Sequence, residues 1–186
     1  MKSTEHLEAK ILKYYNKADT ETLLTGMTWY NRAHNEALLL SQVFEIPLIK
    51  VCGVIAALSP RNKWGRNLAD AWNIIENPSL QTKTCTFKGQ RQKAIDIINS
   101  TGDENEILGL LGKGEKTRNF FTNIFRYKTS QSVTVDVWAY RSVNLEAKNK
   151  YYKPVATAYT NVANQLNIMP HQLQAVVWGV VRGSLV

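Results

Sequence analysis

The 186-residue chain carries 23 Lys and Arg against 15 Asp and Glu, a formal charge of +8, with 44% hydrophobic residues and five Trp. That is enough apolar material for a core in one domain or two small interlocked halves without metal or disulfide support, and the charge favours a polyanionic partner while saying nothing about fold. The two cysteines, Cys52 and Cys85, exclude a disulfide framework or an iron–sulfur cluster and read as free thiols in a reducing cytoplasm; neither a signal peptide nor a membrane anchor is expected.

Apolar residues recur at helical spacing from end to end and few segments alternate, which predicts an all-α protein. Leu7, Ile11, Leu12 and Tyr15 mark a first amphipathic helix running to about Lys17. A second is expected from Thr28 or Trp29, carrying Ala33, Ala37, Leu38, Leu40 and Val43 and stopping before Pro47. Leu48 to Leu58 is almost wholly apolar and predicts a buried central helix, ended by Ser59-Pro60. Leu68, Ala69, Ala71, Trp72 and Ile75 share one face of a helix from Trp64 to Glu76, which Asn77-Pro78 stops.

Ser79 to Lys88 reads as loop, and helical spacing resumes with Ala94, Ile95, Ile97 and Ile98 before a break at Ser100-Thr101-Gly102. A short helix ending near Leu111, a Gly112-Lys113-Gly114 turn and a helix from about Lys116 to Tyr127 follow. Val133 to Val143 and two helices, Tyr151 to Leu166 and Pro170 to Val181, complete the chain.

Two glycines one residue apart allow a tight turn with positive φ and leave N–H groups bare at the start of the next helix, an arrangement that can hold a DNA phosphate without reading sequence. The same pattern suits an ordinary Gly-capped connection. Asp136, ahead of Val137-Trp138-Ala139-Tyr140, suits a helix N-cap as well as a chemical role. Trp29-Tyr30-Asn31 with His34-Asn35 suits either a base pocket or simple packing. Lys88, Arg91 and Lys93 add positive charge to one face, or are a solvated surface. His6, His34 and His171 lie far apart with no second ligand at metal spacing, and zinc-deaminase, Walker and G-x-S-x-G patterns are missing, so neither metal nor cofactor is expected.

In linear order, Ala56-Ala57-Leu58-Ser59-Pro60, Lys93-Ala94-Ile95-Asp96-Ile97-Ile98, the glycine hairpin with Lys116-Thr117, and Val133-Thr134-Val135-Asp136-Val137-Trp138-Ala139-Tyr140-Arg141 resemble the helix-hairpin-helix, endonuclease III-like DNA glycosylase superfamily over about residues 51–143. There the hairpin reads approximately L-P-G-V-G-x-K-T-A, and further on an apolar run delivers an Asp followed by an Arg-containing helix. The resemblance implies a two-lobed all-α fold in a single compact unit, 1–186, with the hairpin and the Asp in a lobe of about 45–143 and a second lobe from about 1–44 plus 144–186. A cleft between lobes would receive a flipped base, with Lys116 at the hairpin lysine and Asp136 at the essential aspartate.

By the same resemblance, Asp136 either stabilises positive charge developing on the deoxyribose or deprotonates the attacking nucleophile. Lys116 either attacks C1′ to form a Schiff base that breaks the strand, helped by neighbouring cations such as Arg118, or merely contacts phosphate. Gly112, Lys113, Gly114, Thr117 and Arg118 are expected at the DNA backbone. Arg61 or Asn62 would plug the gap left by the flipped nucleotide, Lys63 would add charge to that lip, and Trp64 would stack or anchor the core.

The expected activity is a DNA N-glycosylase, with or without AP-lyase activity. Two alternatives stay open: a phage-type thymine-hypermodification transferase that substitutes the 5-position of an activated hydroxymethyl pyrimidine, and a non-catalytic DNA-binding module. The expected partner is double-stranded DNA, with no membrane, for a monomer in the cytoplasm, or in a host's cytoplasm if phage-encoded. The chain departs from the superfamily where Leu111 replaces the hairpin Pro and Lys113 the apolar residue between the glycines. It also lacks the cysteine cluster, and Tyr151-Tyr152-Lys153-Pro154 and His171 to Trp178 match none of the superfamily's motifs.

Overall fold

The computed structural model describes residues 3–183, among which every regular element is helical. In chain order these are α1 (Thr4–Tyr15), α2 (Thr20–Phe44), α3 (Leu48–Leu58), α4 (Trp64–Glu76), α5 (Lys88–Asn99), α6 (Glu104–Leu111), α7 (Glu115–Phe125), α8 (Val137–Ser142), a 3-10 turn (Asn149–Tyr151), α9 (Tyr152–Leu166) and α10 (Pro170–Arg182). The all-α expectation holds. The chain divides into two compact units, one of residues 1–32 with 126–186 and one of residues 33–125. These boundaries fall earlier than the expected 45 and 143, so that α2 contributes to both units and Asp136 belongs with the terminal helices rather than with the hairpin.

The central unit is organised by α3. Val51 to Leu58 are all buried, because a helix apolar all round must be covered on every side, and α4, α5, α6 and α7 supply that cover. Gly53 sets how closely they approach: a Cβ there would lie 2.9 Å from Ile107 Cγ2 and 3.1 Å from Ile97 Cγ2. Helix ends are closed by side chains. Asp103 Oδ1 accepts from the N–H groups of Asn105 and Glu106 at 2.9 and 3.0 Å to start α6. Lys50 Nζ donates to Ile98 O at 3.0 Å where α5 ends, and Lys93 Nζ to Leu111 O at 2.8 Å where α6 ends.

In the other unit α1 lies on α9 and α10, and α10 also covers α8. Leu7 and Ile11, one helical turn apart, enter a core of Val155, Tyr159, Val162, Leu173 and Val177. The early turns of α2 pack on α10 so closely that a Cβ on Gly26 would stand 2.6 Å from Val176 Cα. Helix α2 begins eight residues before the expected Thr28, because Asp19 Oδ1 caps it by accepting from Thr22 N–H at 2.7 Å. No single helix among the described residues is long and apolar enough to cross a membrane.

Candidate functional site

The hairpin is three residues long. Helix α6 stops at Gly112, whose φ of +86° is a left-handed conformation that L side chains rarely adopt, and whose N–H donates to Gly109 O at 3.0 Å. Gly114 differs from expectation: its φ is not positive, and its carbonyl accepts from Arg118 N–H at 3.3 Å as α7 begins. A Cβ on Gly114 would meet nothing within 4 Å, so this glycine answers no demand of the protein's own packing and leaves bare backbone open to a ligand. Lys113 and Lys116 are exposed, Thr117 and Arg118 half-buried. Glu115 lies in the same turn, where its charge suits the helix dipole but opposes an incoming anion. Lys93, expected to add surface charge, instead closes α6 immediately before the turn.

Asp136 is half-buried and caps α8, its Oδ1 accepting from Trp138 N–H at 3.0 Å and Ala139 N–H at 2.9 Å. The extended segment leading to it is held by tyrosines. Tyr152 OH donates to Val133 O at 2.9 Å and accepts from Val135 N–H at 3.3 Å, doing for this segment what a neighbouring strand would do in a sheet. Tyr30 OH lies within donating distance of both Thr134 Oγ1, at 3.1 Å, and Gln174 Oε1, at 3.3 Å. Tyr159 OH meets Ser142 Oγ, on α8 itself, at 2.9 Å. Burial pushes the Tyr159 phenol far up and the negative charge of Asp136 adds to this, so it stays a neutral partner. Lys116 and Asp136 lie in different units, the one in 33–125 and the other in 126–186.

At the loop after α3, Arg61 and Lys63 are exposed. Asn62, the other wedge candidate, is turned inward, its amide donating to Leu58 O at 3.2 Å and to Asp70 Oδ2 at 2.9 Å. Trp64 is half-buried, its indole N–H donating to Glu36 Oε2 at 2.6 Å and its ring edge-on to Phe120. The aromatic cluster near Trp29 divides between the units. Trp29 packs edge-on to Tyr30 and Trp178, while His34 Nδ1 bonds Ile124 O at 2.9 Å in the central unit. His171 Nε2 donates to Tyr127 O at 2.9 Å, its Nδ1 is buried without a hydrogen-bond partner, and burial lowers its pKa to about 4.

Among the described residues no group of three or more His, Cys, Asp or Glu is placed to hold a metal ion. Sequence reasoning missed Tyr30, Tyr152 and Gln174 as supports of the Asp136 segment, and Asp70 as the partner of Asn62. The signals for the first group were the Trp29-Tyr30-Asn31 cluster and, for Tyr152 and Gln174, the two C-terminal stretches that match no glycosylase motif.

The chain belongs to a family of unknown function, DUF7178, whose match spans residues 1–185. No curated protein and no solved structure matches it.

Proposed function

We propose that the chain acts on a base of double-stranded DNA as an N-glycosylase, with the hairpin at the phosphodiester backbone and Asp136 serving the deoxyribose. The observation that carries this is the hairpin: a left-handed Gly112, a bare Gly114 with open space beside it, and exposed Lys113 and Lys116 at the start of an 11-residue helix. A phosphate there meets free N–H groups, the positive end of the helix dipole and two cations. The resemblance to helix-hairpin-helix glycosylases supports the same assignment, since the motifs follow in the same order.

In this reaction the C1′–N bond breaks, the base leaves with the bonding electrons, and water adds to C1′ to give an abasic sugar. Asp136 stabilises the positive charge on the ring or accepts the proton from that water. The two amides on Oδ1 and the tyrosine-held segment fix its carboxylate for this, so that little reorganisation is required during the reaction. Lys116 is exposed and lacks the burial that promotes attack by an amine, which favours phosphate contact over the lyase step.

The test is mass spectrometry of duplexes containing thymine, uracil, 5-hydroxymethyluracil or oxidised bases after incubation with wild type or Asp136→Asn. Free base from wild type alone is the expected result. An intact nucleoside with an altered 5-substituent, given an activated pyrimidine and an amine donor, would replace the glycosylase with the transferase. Binding without any chemical change would leave a binding module.

A further inference from the structure

We propose that segments 59–63 and 84–88 form one nucleic-acid-binding rim, clasped from beneath by the buried carboxylate of Asp70, which acts as a positioning residue for Arg61. The proposal rests on the nucleic-acid reading above and extends it from the loop at 59–63 to the segment at 84–88, which no motif had assigned.

Asp70, on α4, is 2% exposed. Its Oδ2 accepts from Asn62 Nδ2 in one segment and from Cys85 N–H in the other, both at 2.9 Å. A second tie joins the same pair, Thr86 Oγ1 donating to Pro60 O at 3.3 Å. Arg91 braces the far side of the second loop through Thr84 Oγ1 at 3.1 Å and Leu80 O at 2.5 Å. Withdrawing a carboxylate from water is costly, and an apolar residue at this position of α4 would serve packing better. What Asp70 gains is that two loops, far apart in sequence, keep one register.

That register has an outward consequence. Arg61, at the tip of the first loop, holds φ +56°, a left-handed conformation that L side chains rarely adopt. Its guanidinium lies over the ring of Phe87, 5.4 Å from the centroid, and Phe87 is itself 54% exposed. Residues 59–63 and 84–88 contribute Arg61, Lys63 and Lys88 and no acidic residue. An exposed ring carrying an arginine, set among unopposed lysines, fits a polyanion that also presents flat aromatic groups, which is a nucleic acid.

Binding of a fluorescent duplex oligonucleotide to wild type, Asp70→Ala, Thr86→Val, Arg61→Gly and the Asp70→Ala/Arg61→Gly pair tests the rim, with thermal unfolding of each. Asp70→Ala removes the acceptor that Asn62 and Cys85 share and opens the clasp. Thr86→Val removes the second tie without touching a buried charge. Each is expected to weaken binding by roughly 5-fold to 10-fold, with the double variant no weaker than Arg61→Gly alone, because Asp70 acts through Arg61.

If wild type binds and both clasp variants bind equally well, or if the effects of Asp70→Ala and Arg61→Gly multiply, the rim is wrong and the hairpin assignment stands. Failure of the wild type to bind any duplex overturns both. Competition by polyglutamate as effective as competition by DNA overturns the nucleic-acid partner.

Discussion

On the proposed reading Asp136 carries a chemical role beside its helix cap, and the two separate by substitution. Asparagine keeps an oxygen for Trp138 and Ala139 N–H, so Asp136→Asn should unfold within a few degrees of wild type while abolishing chemistry; Asp136→Ala should lose activity and also about 1 kcal/mol of cap, read by denaturant unfolding. Equal loss of activity and stability in both variants would reduce Asp136 to a cap. His171 supplies a pH signature. Its imidazole is pulled from about 6.5 in an unfolded chain to about 4 by burial. The stability contributed by keeping it neutral is therefore whole above pH 6.5 and drains away as pH falls toward 4, by at most about 3 kcal/mol. His171→Gln retains a donor for Tyr127 O without a titrating ring, so its unfolding free energy should fall less than that of wild type over this interval. Parallel pH curves for the two would contradict the assignment.

Elements were legible where hydrophobic period and punctuation agreed. Leu48 to Leu58 and Trp64 to Glu76 end where Ser59-Pro60 and Asn77-Pro78 predict, because the same residues that stop the period also block the next helical turn. The start of α2 was hidden by Thr22, Thr25 and Gly26, poor helix formers whose cost is met by Asp19 and by the close approach to Val176. Gly26→Ala makes that approach measurable. In an open helix the change gains about 1 kcal/mol, whereas here a Cβ 2.6 Å from Val176 Cα should reverse the sign and cost about 1–3 kcal/mol in chemical denaturation.

The candidate site was half legible. Glycines and lysines declare a turn locally, but the tyrosines around Val133 to Asp136 come from α2 and α9, distant in sequence, and no local pattern announces a phenol that replaces a strand. Tyr152→Phe takes away the hydroxyl shared by Val133 and Val135. It should cost about 1–3 kcal/mol and lower turnover more than it weakens DNA binding, a difference read by comparing kcat with Kd.

Across the whole molecule, net charge overstates what is available to a partner. Lys10, Lys50 and Lys93 reach the carbonyls of Val143, Ile98 and Leu111, so part of the +8 closes helices. Lys113→Ala should flatten the dependence of log K on log salt by roughly 0.9, while Lys50→Ala should lower Tm and leave that slope alone; the opposite pattern would exchange their roles. The unit built from 1–32 and 126–186 has a consequence for biosynthesis. Lys10 meets Val143 and Glu8 meets Asn161 only after more than a hundred further residues have been made. During synthesis α1 must therefore wait, while 33–125 forms its internal contacts from one continuous stretch of chain. The nascent chain should acquire protease resistance in its middle first, with its amino-terminal helix the last segment to be protected.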